Sequence, residues 1–291
     1  MGCINEITGT TKLTGLLGSP VAHSKSPLLH NEAFRLLALD YVYLCFDVTE
    51  DELATAYEGL KKINIAGFNC TMPDKTKICE LVDELSPAAS MIGAVNTVVN
   101  QNGTFVGHNT DGIGYIRSLK EEGFEIAGKK MTLLGAGGAA SSIMVQAALD
   151  GAREIDVFSR KGRFWEKAGA MVADINAKTP CKATLIELGC EDTLGASIQT
   201  SDLLCNATTV GMAPNIDGCL ITDKKMLHEN LFVSDIIYNP LETKLYQMAK
   251  NAGCSVSNGL YMLLFQGAEA FKLWTGQEMP VEEIKKKYFN L

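Results

Sequence analysis

Ten residues, Met131-Thr-Leu-Leu-Gly-Ala-Gly-Gly-Ala-Ala140, join an apolar run to a glycine turn and then to a helix-forming stretch. Gly135, Gly137 and Ala140 fit G-x-G-x-x-G/A in the strand–turn–helix setting that motif requires. Gly135 permits a tight turn, Gly137 lets backbone approach a pyrophosphate, and Ala140 lets the helix pack close to the strand. Ala136, Gly138 and Ala139 complete the turn, whose helix-terminal amides suit an anion. The next strand ends in Ser159-Arg160-Lys161-Gly162-Arg163, with no acid before Glu166. Sites that prefer NAD put Asp or Glu there for the ribose 2′-hydroxyl. Arg160, Lys161 and Arg163 instead suit a 2′-phosphate, although solvated loop charges are the alternative. The reading is NADP(H) preferred, with NAD(H) admitted.

Four further blocks carry polar residues. Gly18–Asn31 contains Ser24 and Ser26; Ser26 before Pro27 reads as an N-cap, while Ser24 lacks that duty and could bind a carboxylate. Asn69-Cys-Thr71-Met-Pro-Asp-Lys75 leaves a strand at its carboxyl end, where open α/β sheets place ligands. Lys75 is expected in the first turn of the following helix, where a cation opposes the helix dipole; the alternative is an exposed helix lysine. Gly93-Ala-Val-Asn96-Thr and Gly107-His-Asn-Thr110-Asp111-Gly are the remaining two. Asp111 could simply cap its helix. A carboxylate near Lys75 would form with it a coupled pair able to deliver or remove a proton at a carbonyl oxygen.

The elements that must position these groups alternate from end to end, an α/β pattern. Strands are expected at Leu13–Gly18, Tyr41–Val48, Ile65–Asn69, Ala94–Val99 and Thr104–Gly107, the last two flanking an Asn102-Gly103 hairpin turn. Helices are expected at Pro27–Ala38, Asp51–Ile63 and Lys75–Leu85. A second unit starts with helix Asp111–Glu122 and strand Met131–Leu134, then helix Ala139–Leu149, strand Ile155–Phe158 and helix Trp165–Asn176. Strands Ala183–Ile186, Leu203–Asn206 and Phe232–Ile236 extend it, and helices Tyr261–Trp274 and Val281–Tyr288 form the tail. The boundary falls near Asn109–Asp111.

The 291 residues suggest two domains, with 46% hydrophobic and 21% charged residues, an ordinary globular balance. A net charge of −8 gives no global attraction to nucleic acid. The nine cysteines include no C-x-x-C pair and read as reduced, mostly buried thiols. The four histidines show no i, i+4 pairing, so no metal site is expected. The start, Met1-Gly-Cys3-Ile-Asn-Glu6, lacks a signal-peptide pattern and a myristoylation pattern. No apolar run reaches the ~18 residues of a membrane span, so a cytoplasmic protein is expected.

The blocks containing Ser24, Asn69–Lys75, Asn96, Thr110–Asp111 and Gly135–Ala139 resemble the shikimate dehydrogenase family in order and content. Asn206-Ala-Thr208-Thr-Val-Gly211-Met212, Asp235-Ile-Ile-Tyr238-Asn-Pro and Tyr261-Met-Leu-Leu-Phe-Gln266-Gly extend the resemblance over nearly the whole chain. It implies Lys75 and Asp111 as the catalytic pair. It implies Ser24, Ser26, Tyr43, Asn69, Thr71, Asn96, Thr110, Tyr238 and Gln266 around the substrate; for Gln266, a satisfied core amide is the alternative. It implies Asn206, Thr208, Gly211 and Met212 on the nicotinamide side, with Gly259 among the cofactor residues. The implied fold is an N-terminal α/β substrate domain, 1–110, completed by C-terminal helices, 259–291, plus a Rossmann domain at 111–258. The implied reaction is reversible NADPH-dependent reduction of 3-dehydroshikimate to shikimate, in a monomer or homodimer without nucleic-acid or membrane partners. Cys70 stands where the family often has valine, and Ser159-Arg-Lys replaces the Asn-Arg-Thr of the strictly NADP-dependent branch. The segments 83–89 and 266–276 look more like the quinate/shikimate branch, which also takes quinate and can use NAD. A binding homologue that senses shikimate-like ligands is a more distant alternative; it could lose Lys75, Asp111 or the glycine turn, all of which are present.

Overall fold

The computed structural model describes residues 6–71 and 73–289. Cys3 with the N-terminal pattern around it, and Met72 of the Asn69–Lys75 block, lie outside the described residues. The elements run β1 (Lys12–Gly18), α1 (Ser26–Leu36), β2 (Tyr41–Asp47), α2 (Leu53–Lys62), β3 (Gly67–Cys70), β4 (Glu84–Leu85), α3 (Pro87–Ile92), β5 (Thr97–Gln101) and β6 (Thr104–His108). Then come α4 (Thr110–Glu121), β7 (Lys130–Leu134), α5 (Gly138–Leu149), β8 (Glu154–Ser159), α6 (Trp165–Lys178), β9 (Lys182–Glu187), α7 (Glu191–Gln199) and β10 (Leu203–Asn206). The chain finishes with β11 (Phe232–Asp235), α8 (Lys244–Asn251), β12 (Ser255–Ser257), α9 (Leu260–Thr275) and α10 (Val281–Tyr288). Two units result: the described residues up to Thr110 together with those from Gln266 onward, and Asp111–Phe265.

The first unit holds a mixed sheet in the order β2-β1-β3-β5-β6-β4. Its β5–β6 hairpin closes at Asn102 and Gly103, whose φ angles of 55° and 98° fit the type I′ turn favoured by that dipeptide. Leu17, Leu53, Tyr57, Phe68, Val98 and Phe105 fill one core. Elsewhere in the unit, the C-terminal helix α9 docks through Trp274, whose Nε1 donates to Val98 O at 3.0 Å. Gly67 makes this docking feasible, because a Cβ there would collide with the indole. The Trp274 ring lies beside His30 and Tyr43, with centroids 5.2 and 5.9 Å away. His30 in turn stacks on Tyr43 at 4.5 Å.

The second unit is a six-stranded parallel sheet in the order β12-β11-β10-β7-β8-β9. Numbered within the unit and read from β9, this is 3-2-1-4-5-6, the Rossmann order. Its four inner strands, β7, β8, β10 and β11, are buried runs, as a parallel sheet covered by helices requires, while the edge strands β9 and β12 are partly exposed. The order reverses between β7 and β10, so their carboxyl ends bound the crevice where dinucleotides bind in this fold. Helix α4 packs on α5 at Gly112, where any side chain would strike the Ser142 carbonyl.

Several expectations change. No α-helix covers Lys75–Leu85; a turn, a 3-10 segment at Lys77–Glu80 and strand β4 occupy it. Tertiary pairing overrides the local pattern there: Asp83 N donates to Phe105 O, and the Asp83 carboxylate accepts from Phe105 N at 2.7 Å. The dipole argument for Lys75 therefore has no helix to rest on. Ser26 is the first helical residue rather than the N-cap; Lys25 holds that position, and Ser24 Oγ accepts from Ser26 N at 3.2 Å. The strand expected from Ala94 starts at Thr97, because Gly93 ends α3 at a φ of 63°. Helices α3, α7 and α8 were not anticipated, although Ser86 and Thr243 cap two of them through their hydroxyls.

Candidate active site

In the first unit, polar side chains form a continuous buried chain of hydrogen bonds. Asn31 fixes the edge strand β2 by accepting from Tyr43 N at 2.8 Å and donating to Tyr43 O at 2.9 Å. The Tyr43 phenol donates to Asn69 Oδ1 at 2.8 Å, and the Ser26 hydroxyl stands close enough to act on it. Asn69 Nδ2 donates to Thr97 Oγ1 at 2.9 Å and to Asn96 O at 3.1 Å. Asn96 Oδ1 accepts from Thr110 N at 2.7 Å, while its Nδ2 donates to Thr110 Oγ1 at 3.0 Å. Tyr43, Asn69, Asn96 and Thr110, each a site residue expected from the sequence, are thus joined in one network, with Ser26 beside it. Asn31 and Thr97, not selected, belong to it. Both stand inside the quoted blocks, but spacing alone could not separate a network residue from strand filler.

Burial drives the electrostatics. It pushes the Tyr43 phenol well above its ordinary value, against the pull of the Ser26 hydroxyl, so the phenol stays a neutral donor. Burial likewise drives the His30 imidazole down to about 3. Thr71 N donates to Leu17 O at 2.9 Å, and Thr71 O accepts from Asp74 N at 3.0 Å, opening the turn that carries Lys75. The Lys75 carbonyl accepts from Val95 N at 2.7 Å, tying that turn to the strand leading to Asn96. The Lys75 charge also acts on Cys70, opposing the upward push of burial on that thiol. Ser24 is half-buried with its Oγ at the start of α1. Gln266 is half-buried on α9, beside Gly267, which faces His30.

The second unit contains the glycine turn, Asp111 and Tyr238. Asp111 stands in the first turn of α4, and Tyr238 is 53% exposed. Gly135 has a φ of 111°, and a Cβ there would lie 2.9 Å from Ala207 O, so the turn after β7 presses on the turn after β10. At Gly137 and Gly138 an added Cβ meets nothing within 4 Å. Gly137 is the N-cap of α5 and offers no side-chain cap, so the helix start opens on free space with its amides uncapped. Those features fit a dinucleotide pyrophosphate. Ala136, Ala139 and buried Ala140 complete the turn.

Asn206 shapes the facing turn. Its Oδ1 accepts from Thr208 Oγ1 at 2.7 Å and Thr208 N at 3.1 Å, and its Nδ2 donates to Asp235 Oδ1 at 3.0 Å. Asp235, 1% exposed, also accepts from Thr243 Oγ1 at 2.6 Å; burial pushes its carboxyl up against those hydrogen bonds. Asp235 stands in the Asp235-Ile-Ile-Tyr238-Asn-Pro block, where sequence alone gives it no role. Gly211 has a φ of 95° and leads to Met212, which is 41% exposed. Gly259 N donates to Ile237 O at 3.0 Å, and a Cβ at Gly259 would collide with the Ile236 carbonyl. At the end of β8, buried Ser159 precedes exposed Arg160, Lys161 and Arg163. Lys161 Nζ pairs with Glu187 Oε2 at 2.7 Å, and Arg163 stacks on Phe164 at 4.3 Å.

Among the described residues, no three His, Cys, Asp or Glu side chains gather as a metal site. No helix among them is long and apolar enough to cross a membrane. Of the eight described cysteines, all free, only Cys190 is exposed.

A Rossmann unit with an uncapped glycine turn, and a second α/β unit lined with buried amides and hydroxyls, define a nicotinamide-dinucleotide dehydrogenase class of protein. Comparison with known proteins narrows the class. Residues 16–98 match the shikimate dehydrogenase substrate binding domain, and residues 259–287 match the shikimate 5′-dehydrogenase C-terminal domain. The chain is 50% identical over 284 residues, 98% of each chain, to a shikimate dehydrogenase (NADP(+)) of Listeria monocytogenes serotype 4b (strain F2365). It is 43% identical to a quinate/shikimate dehydrogenase of Escherichia coli O139:H28 (strain E24377A / ETEC), over 97% of this chain and 98% of that one. A crystal structure of shikimate 5-dehydrogenase from Listeria monocytogenes, in complex with shikimate and NAD, superposes with a TM-score of 0.94. That match spans 96% of this chain and 97% of the other at 50% identity. The chain belongs to the shikimate dehydrogenase family.

Proposed function

We propose that this protein catalyses the reversible NADPH-dependent reduction of 3-dehydroshikimate to shikimate, a step of chorismate and aromatic amino acid biosynthesis. The observation that carries the reading is 50% identity, over 98% of both chains, to a shikimate dehydrogenase (NADP(+)). In this reading the first unit binds the substrate and the second the cofactor. Ser24, Ser26, Tyr43, Asn69, Thr71, Asn96, Thr110, Tyr238 and Gln266 hold the ring hydroxyls and carboxylate. The hydrogen bonds that join Tyr43, Asn69, Asn96 and Thr110 support this role, because they fix donors and acceptors before a ligand arrives.

Lys75 delivers a proton to the carbonyl oxygen in reduction and removes it in oxidation, and Asp111 shares that proton. When bound, the nicotinamide supplies or accepts the hydride. Gly135, Ala136, Gly137, Gly138 and Ala139 hold the pyrophosphate. Ser159, Arg160, Lys161 and Arg163 read the ribose 2′ position. Asn206, Thr208, Gly211, Met212 and Gly259 border the nicotinamide. The eight described cysteines, all free, suit a reducing cytoplasm, and the protein works as a monomer or homodimer.

A second reading, quinate oxidation with NAD, is favoured by the 43% identity to a quinate/shikimate dehydrogenase and by the Lys161–Glu187 pair. Steady-state kcat/KM for both acids with both cofactors separates the two. Higher values with shikimate and NADP support the first reading. A preference for quinate with NAD overturns it, and tight binding without turnover would point to a sensing homologue.

A further inference from the structure

The usual NAD-selecting acid is missing at the end of β8, where Ser159 and Arg160 stand. Strand β9 supplies one instead. Its last residue, Glu187, is in register with Ser159, so its carboxylate emerges at the same edge of the sheet, one strand further out. The Glu187 carboxylate is 2.7 Å from Lys161 Nζ, with side chains 54% and 64% exposed. Lys161 also reaches over the Trp165 ring, 5.9 Å from its centroid. Arg163 is stacked on Phe164, while the exposed Arg160 guanidinium makes no ion pair among the described residues. Two of the three cations that could meet a 2′-phosphate are therefore engaged, one of them by a carboxylate.

We infer that Glu187 is a specificity-determining residue that holds down selectivity for NADP over NAD. The inference rests on the proposed dehydrogenase function. Glu187 acts in two ways. It competes with a 2′-phosphate for Lys161, and its negative charge repels that phosphate. An exposed ion pair is weak, so Lys161 can leave it for a phosphate, and neither cofactor is shut out. With NAD there is no 2′-phosphate for the same carboxylate to repel. One unit of charge acting on a doubly charged phosphate through screened water shifts affinity by about a few-fold. Release of Lys161 adds to this, for an expected total of about fivefold.

Calorimetry with 2′,5′-ADP and 5′-AMP tests this without substrate, on the full chain and on Glu187→Gln. The expected result is about fivefold tighter 2′,5′-ADP binding, with 5′-AMP unchanged, and a matching rise in the NADP/NAD ratio of kcat/KM. In a Lys161→Ala background the gain from Glu187→Gln should fall to the few-fold that lost repulsion alone gives. Unchanged or weaker 2′,5′-ADP binding in Glu187→Gln overturns the inference, as does an equal change for both nucleotides. A selective gain in 2′,5′-ADP binding by a protein that turns over neither acid would uphold the role of Glu187 while removing the proposed reaction.

Discussion

Replacing Asn96 with alanine tests the buried network of the first unit at its most connected point. The side chain is 2% exposed, and its Oδ1 accepts from Thr110 N at 2.7 Å. Thr110 is itself fully buried, so without Asn96 its N–H loses a short hydrogen bond where water does not reach. Leaving a buried donor unpaired costs about 1–3 kcal/mol. The Thr97 and Thr110 hydroxyls, 3.2 Å apart, can pair with each other, so the Nδ2 contact adds little. The expected loss is about 2 kcal/mol, a fall in Tm of roughly 4–8 °C. Hydrogen–deuterium exchange at the Thr110 amide should speed up by about thirtyfold if that amide opens with the unit. Pairing Asn96→Ala with Thr110→Val should cost less than the sum of the single changes by about 0.5–1.5 kcal/mol. None of these readouts needs a ligand, so they hold whatever the substrate. A Tm within 1 °C of the parent and unchanged protection at Thr110 would refute the reasoning.

Three more outcomes follow from single positions. Gly135→Ala puts a Cβ 2.9 Å from Ala207 O on backbone with a φ of 111°; nucleotide affinity by calorimetry should drop at least about tenfold, and an unchanged affinity would contradict the turn geometry. Gly67→Ala must displace the Trp274 indole, costing about 1–3 kcal/mol. In a Trp165→Phe background, the Trp274 emission should shift to the red, and an unshifted spectrum would count against the docking described. Asp74 is fully buried, its carboxylate oxygens have no hydrogen-bond partner, and burial, then Glu50, pushes its carboxyl up against the pull of Lys77. The folded state therefore holds this proton more tightly than the unfolded chain, and the stability it contributes is complete below the usual carboxylate range and is lost as pH rises through the folded value. Asp74→Asn should be more stable than the parent at pH 7, with the advantage shrinking towards pH 3; urea unfolding at both values checks this, and a less stable variant at pH 7 would contradict it.

The Rossmann unit was legible because its glycine turn carries its own physics. Gly135, Gly137 and Ala140 say where the strand ends and the helix begins, and the alternation beyond them gives the strands. Over residues 75–85 the local helix-like pattern is overruled by Asp83, whose bonds to Phe105 lie across the sheet. Helix α3 escaped notice although Ser86-Pro87 and Gly93 mark both its ends. Most of the site chain was visible as polar residues in blocks. Asn31 and His30 were not selected, since supporting Tyr43 depends on a neighbouring strand that only the fold supplies. Glu187 was invisible for the same reason: it lies far from Lys161 in sequence and meets it only through the pairing of β8 with β9.

The account depends most on Lys75 as the proton-transfer group, and its removal is the most direct measurement. With shikimate and NADP followed at the nicotinamide absorbance, Lys75→Ala should lower kcat by about a hundredfold to ten-thousandfold, Asp111→Asn should reduce it strongly, and shikimate affinity by calorimetry should change far less. Full turnover in Lys75→Ala, or a loss explained entirely by binding, would contradict the account.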